Sequence, residues 1–363
     1  MASEQPPHTR PGRNASDIPQ SSHKRAIFTG LALLAAFLIA AFGTESNLSF
    51  LRRIFGSFHS VRVGVEPYNI RNTSSVVKMK TPIYFLSHGG PNIMFDVEHP
   101  AYKKLGAIGR EITTKVKPRA VVVFSAHWQG GRDTIYVNTA EMTDLIYDFY
   151  GFPDHYYKEK YPNVGSKEVS SKVLDALKEA GISAKGVKRG LDHGVWASFK
   201  CAFDPESNPL NVPIVQVSLF DTEDPIQHYR LGEAVAKLRE ENIMIIVSGM
   251  AVHNLRDLRF TFSNPTPLPY TVSFDEALKD AVTTSPEERE EALAALVKRP
   301  DARQAHPSFD HLLPIHVGAG AAGADRGERL WTLKEGSMSW AQFRFGEVPT
   351  GSALSAVRGG IVG

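Results

Sequence analysis

Residues 81–91 read Thr-Pro-Ile-Tyr-Phe-Leu-Ser-His-Gly-Gly-Pro, and residues 120–128 read Ala-Val-Val-Val-Phe-Ser-Ala-His-Trp. Ile83–Leu86 and Val121–Phe124 are short apolar runs of the kind that form buried strands. Each run leads straight to a histidine, His88 or His127. In an open α/β sheet, ligands bind at the carboxyl ends of the strands. An imidazole at each of two strand ends therefore points to a metal or acid–base site rather than to core filling. Three further histidines stand in tight motifs. They are His193 in Asp192-His193-Gly194-Val195-Trp196, His253 in Ser248-Gly249-Met250-Ala251-Val252-His253-Asn254-Leu255, and His311 in Asp310-His311-Leu312-Leu313-Pro314. His253 follows the apolar run Ile243–Val247, while His193 has no clear strand before it. The bland alternative is a set of polar caps over a sheet edge.

Working outward, strands and helices alternate. Tyr102–Val116 has helical spacing and stops at Pro118. Ser166–Ala180 places Val169, Val173, Leu174 and Leu177 on one face and is closed by Gly181. Val212–Leu219 reads as a strand and Leu231–Glu241 as a helix. Ser285-Pro286-Glu287-Glu288 reads as a capping box opening a helix through Leu296. Gly318-Ala319-Gly320 reads as a flexible loop. The alternation predicts an α/β fold with a mostly parallel central sheet flanked by helices, as a single globular domain over residues 79–363.

The chain has 363 residues, 42% of them hydrophobic and 22% charged, which suits a large core. A net charge of +2 without a long basic block gives no reason to expect nucleic acid as a partner. The single cysteine, Cys201, excludes an intrachain disulfide and a cysteine-based zinc site. Any metal must be held by His, Asp or Glu. There is no His-Glu-x-x-His helix, no dinucleotide or P-loop glycine pattern, and no Gly-x-Ser-x-Gly elbow.

Residues 1–25 form a polar tail of disordered composition. Residues 26–43 are uncharged and apolar; as a helix they would be roughly 27 Å long, near the hydrocarbon thickness of a bilayer. They are expected to be a transmembrane or signal-anchor helix, which makes the protein membrane-anchored, with residues 44–78 as linker. His23-Lys24-Arg25 favour a cytosolic N-terminus, and Arg52 and Arg53 weaken that orientation. If the leader is cleaved or absent, the protein is cytoplasmic or mitochondrial instead. Met79 is a candidate start for a soluble form.

Taken in order, several motifs resemble the class III extradiol ring-cleavage dioxygenases of the LigB type, in particular the 4,5-DOPA extradiol dioxygenase group. They are Ser87–Pro91, Ser125–Trp128, Tyr147-Asp148-Phe149-Tyr150-Gly151-Phe152-Pro153, Asp192–Gly194, Pro213–Ser218, Ser248…Leu255 and His311–Pro314. The resemblance runs from about Thr81 to about Phe345. It implies one Fe(II) per chain, often replaced by Zn(II), with a catecholic substrate and O2. It implies His88, His127 and His311 as metal ligands. His253 matches a fourth ligand or an acid–base residue, and His193 a second active-site histidine that contacts substrate. Asp310 competes with His311 for the third ligand place. Trp128, Tyr147, Phe149 and Phe152 are candidate pocket walls, or ordinary core aromatics. The expected chemistry is cleavage of a catechol ring by O2 to a muconic semialdehyde, with His193 or His253 as base. The alternatives are a zinc-dependent hydrolase using the same cluster, and a membrane-anchored metal-binding protein without turnover.

Overall fold

The computed structural model describes residues 80–349, so the expected tail, the apolar segment 26–43 and the linker 44–78 lie outside the described residues. Among the described residues no helix is long and apolar enough to cross a membrane. In chain order the strands are β1 (Ile83–Ser87), β2 (Ala120–Gln129), β3 (Thr134–Asn138), β4 (Ser183–Val187), β5 (Ile214–Leu219), β6 (Ile243–Gly249), β7 (Val252–His253), β8 (Gly327–Trp331), β9 (Lys334–Glu335), β10 (Met338–Ser339) and β11 (Gln342–Phe345). The helices are α1 (Pro100–Glu111), α2 (Lys167–Glu179), α3 (His193–Ala202), α4 (Pro225–Val235), α5 (Leu255–Thr261), α6 (Pro269–Thr283), α7 (Arg289–Leu296), α8 (Ala302–Ala305) and α9 (Leu313–Ala322).

Among the described residues, eight strands form one sheet in the order β4-β3-β5-β2-β6-β1-β11-β8. The central run β5-β2-β6-β1 is parallel throughout. Antiparallel pairings occur where β3 meets β5 and where β11 meets β1 and β8. The central strands are buried on both faces, because successive side chains point to opposite sides of a pleated strand. Ile83 and Phe85 join one apolar cluster with Val122, Phe124, Val215 and Ile245. Their alternates Tyr84 and Leu86 join a second with Val121, Val123 and Ile246. Helices α2, α4, α6, α7 and α9 supply the first cluster, and α1 and α3 the second.

Several local expectations are corrected by the structure. The strand carrying His127 does not stop at Ser125 but runs to Gln129, so His127 lies within β2 rather than after it. The strand expected from Val212 begins at Ile214, following Pro213, which has no N–H for a ladder. The helix expected from Leu231 begins at Pro225, where Asp224 accepts the N–H groups of Ile226 and Gln227 at 2.9 and 3.2 Å. Ser285 does not cap α7; its hydroxyl donates to the Glu288 carboxylate at 3.1 Å, and the helix starts only at Arg289.

Gly318-Ala319-Gly320 is not a loop but part of α9, a helix buried along its whole length. Its glycines serve close packing. A Cβ on Gly320 would lie 1.9 Å from the Tyr229 carbonyl oxygen, and one on Gly232 of α4 would lie 2.0 Å from that of Val317. The two backbones touch, which only glycine at the crossing allows. The free carbonyls at the end of α9 are capped by two buried arginines. Arg239 donates to Ala321 O at 2.8 Å, and Arg289 donates to Gly323 O and, at 2.6 Å, to Asp325 O.

Candidate metal centre

The carboxyl ends of β1, β2 and β6 lie side by side, with Ser87 opposite Gly249 and Ser125 opposite Ser248. His88 follows β1 directly, and its backbone N–H donates to Gly249 O at 3.0 Å. His127 stands near the end of β2. His311 comes from the turn before α9, where its carbonyl accepts the Met250 N–H at 3.0 Å. Residues from three distant parts of the chain thus meet above the centre of the sheet. The His88 and His311 Nε2 atoms each lie 3.2 Å from His127 Nε2. Together the three form a group whose ligand atoms could hold one ion.

The remaining ring nitrogen of each histidine decides what these approaches mean. His127 Nδ1 lies 3.0 Å from Asp148 Oδ2, and His311 Nδ1 3.0 Å from Asp310 Oδ2. Both carboxylates only accept, so both Nδ1 atoms carry the proton. His88 Nδ1 lies 2.9 Å from Ser248 Oγ, whose own hydroxyl proton goes to Gly194 O. Ser248 must therefore accept from His88, and His88 too is protonated at Nδ1. With each Nδ1–H committed, the neutral rings turn bare Nε2 lone pairs toward one another. A cation at their centre satisfies that arrangement. Two nitrogens bound tetrahedrally at 2.0–2.1 Å to one ion would stand about 3.3 Å apart, so the donor set fits. Orientation of metal-binding imidazoles by carboxylate and hydroxyl partners on the other nitrogen is the usual supporting arrangement.

The electrostatics follow the same geometry. Burial, reinforced by the neighbouring imidazoles, holds His88 well below its ordinary pKa. Burial also lowers His311, against the pull of Asp310. His127 is less buried than these two, and Asp148, Asp192 and Asp310 together outweigh its desolvation and raise it. The Asp148 and Asp310 carboxyls are pushed up by burial and pulled well below the usual carboxylate range by their histidine partners. Asp310 faces His311 Nδ1 and is not among the ligand atoms of the trio.

His253 stands outside the trio. Its ring lies flat on His311, with centroids 3.6 Å apart and planes 12° from parallel. His193 is the first residue of α3, not the end of a strand. Its ring centroid is 4.1 Å from that of His127 and 6.1 Å from that of His88. Asp148 Oδ1 accepts both its backbone N–H and its Nδ1–H, each at 2.9 Å. The preceding Asp192 is fully buried and receives hydrogen bonds from Ser125, Arg189 and Gln216, which fixes the start of α3 beneath the site. Gly194 leaves room for the metal-site ring: a Cβ there would sit 2.6 Å from His127 Cδ2.

The aromatic residues divide. Phe149 is buried and meets the His193 ring edge-on at 5.4 Å, so it walls the site. Phe152 packs behind Phe149 at 5.3 Å. Tyr147 is held by its hydroxyl to Glu159 O at 2.7 Å and packs on Trp196. Trp128 lies beneath the Arg189 guanidinium, 4.5 Å from its ring centroid. Neither Asp148 nor Ser248 stands out as functional in the amino-acid sequence. Both sit inside motifs that carry the resemblance, but nothing in one sequence says which histidine either would touch.

A parallel sheet that delivers three imidazole lone pairs to one point above its strand ends is the architecture of a metal-dependent α/β enzyme. Comparison with known proteins narrows the class. The family described as "Catalytic LigB subunit of aromatic ring-opening dioxygenase" matches residues 81–340. A "4,5-DOPA dioxygenase extradiol" of Beta vulgaris is 36% identical over 272 residues, covering 72% of this chain and 95% of the relative. A "4,5-DOPA dioxygenase extradiol-like protein" of Schizosaccharomyces pombe is 34% identical, over 69% of this chain and 88% of the relative. The crystal structure of an uncharacterized protein of Escherichia coli K12 superposes with a TM-score of 0.59 at 27% identity, over 74% of this chain and 100% of the other. The chain belongs to the LigB family of extradiol ring-opening dioxygenases, as its motifs led one to expect.

Proposed function

We propose that the protein opens the ring of a catechol, DOPA-like in kind, with both atoms of O2, and that the product is a muconic semialdehyde. The observation that carries this reading is the convergence of three Nδ1-protonated imidazoles on one point. His88, His127 and His311 would hold one ion, Fe(II) for turnover, with Zn(II) able to occupy the same nitrogens. When bound, the metal supplies Lewis acidity toward the two phenolic oxygens and a route for electrons from the ring to dioxygen. The protein's own residues do the rest.

His193 is the general base of this reading. Its Nδ1–H is held by Asp148, so the free lone pair is on Nε2, beside the metal trio. That nitrogen can take a phenolic proton from the substrate. Half-buried His253 is kept neutral, first by desolvation and then by its imidazole neighbours, and offers a second proton-handling edge at the rim. Phe149, backed by Phe152, keeps bulk water from the His193 side. The "4,5-DOPA dioxygenase extradiol" name of the Beta vulgaris relative supports a DOPA-like catechol.

The test is oxygen uptake by protein purified anaerobically, loaded with Fe(II) and mixed with L-DOPA and a panel of simple catechols. Stoichiometric uptake with a yellow semialdehyde is expected. Bound iron without uptake from any catechol would overturn the substrate class.

A further inference from the structure

We propose that Asp148 is a positioning residue that locks two histidines into complementary roles, His127 as ligand and His193 as base, through the two oxygens of one carboxylate. This rests on the metal-centre reading above. Oδ2 faces the Nδ1–H of His127, while Oδ1 accepts both the Nδ1–H and the backbone N–H of His193. A carboxylate has no proton to give here, so both rings are forced to carry theirs on Nδ1. Both Nε2 atoms are thereby bared on the same side.

The carboxylate is itself held in place. Ile146 donates its N–H to Leu191 O at 2.7 Å, and the Trp196 indole N–H donates to Ile146 O at 3.0 Å. The segment bearing Asp148 is thus tied to the start of α3, the helix that begins with His193.

The arrangement is asymmetric in a way that can be tested. In Asp148→Asn one oxygen becomes an NH2 donor. The backbone N–H of His193 cannot change its nature, so the amide oxygen must keep the Oδ1 position. The NH2 then faces His127 Nδ1, and His127 must move its proton to Nε2, the atom that would bind metal. Asp148→Ala imposes no tautomer and leaves His127 free to adopt the binding one. Asn should therefore be worse than Ala, although it nearly preserves the volume of Asp. A merely structural or space-filling role predicts the reverse order.

The experiment measures Zn2+ affinity of the full chain by competition with a chromophoric chelator, for wild type, Asp148→Asn, Asp148→Ala and His193→Ala. Circular dichroism checks that each variant is folded. The expectation is wild-type affinity in His193→Ala and a loss of about 10-fold in Asp148→Ala, with a loss of about 100-fold or more in Asp148→Asn. Long-range 1H–15N spectra of zinc-free Asp148→Asn should place the His127 proton on Nε2 while His193 keeps its own on Nδ1. Equal affinities, Ala worse than Asn, or an unchanged His127 tautomer would each overturn the assignment. Wild type that binds no Zn2+ would instead overturn the metal centre itself, and this inference with it.

Discussion

For a single histidine, what matters is which ring nitrogen is already engaged. His88, His127 and His311 each give Nδ1 to a partner and keep Nε2 for the centre. Replacing any one with Ala should abolish metal retention and turnover together, read as metal content after gel filtration; full metal content with normal rates would sink the ligand assignment. His193→Ala should keep the metal and lower kcat by about 10²–10⁴, the usual weight of a general base. Unchanged turnover would remove His193 from the mechanism. Ser248→Ala removes the acceptor that sets the His88 tautomer, and should weaken metal binding by about 10-fold or more without unfolding the protein. The same chelator competition reads that loss.

Among elements, the crossing of α4 and α9 matters most, because α9 follows directly on His311 and fixes where that ring sits. Gly320→Ala would push a methyl into the Tyr229 backbone, which cannot swing away as a side chain can. The expected cost is about 1–3 kcal/mol of stability, with His311 displaced as α9 shifts. Urea unfolding reads the first effect and metal affinity the second. A variant as stable as wild type would show that the helices can part without cost. The element-scale errors of the sequence reading share one cause. Gly318-Ala319-Gly320 reads as a loop because its glycines lower local helix preference. Burial against α4 and two capping arginines override that preference. Likewise β2 runs past Ser125 because β5 still pairs with it there, Gln129 standing opposite Leu219, a fact absent from its own residues.

Over the whole molecule, the proposed metal ligands span positions 88 to 311, so binding is linked to the global fold. An ion that binds only the native state at 100 times its Kd stabilises by about 2.7 kcal/mol. Chelator treatment should therefore lower Tm, and re-addition of Zn2+ should restore it; an unchanged Tm would mean that the ion binds native and unfolded chains alike. A second global effect comes from His306 and His316, both buried and held by desolvation to a pKa of about 4. The unfolded chain protonates them near 6.5. Above that pH both states are neutral and the rings cost nothing. Between about pH 6.5 and 4 the unfolded state binds more protons, so stability falls as pH falls, by on the order of 3 kcal/mol per ring at most. Urea midpoints across that range should show the decline in metal-free protein. A flat profile would place the rings in more polar surroundings.

Fold class, family and the five motif histidines were legible from the residues alone. Buried parallel strands are written as uninterrupted apolar runs, and a ligand site at their ends leaves short polar motifs directly behind them. Such signals are local, which is why Ile83–Ser87 with His88, and Ala120–Phe124 with His127, were legible. What needed the folded chain is which imidazoles share a point, that His253 stacks on His311, and that the Asp310 carboxylate faces His311 Nδ1. Folding alone brought Asp148 between His127 and His193, and Ser248 against His88. Apart from that of His311, set by its neighbour Asp310, the tautomers are set by hydrogen bonds between residues tens to hundreds of positions apart. No local pattern encodes those bonds; they exist only once the sheet has brought its strand ends together.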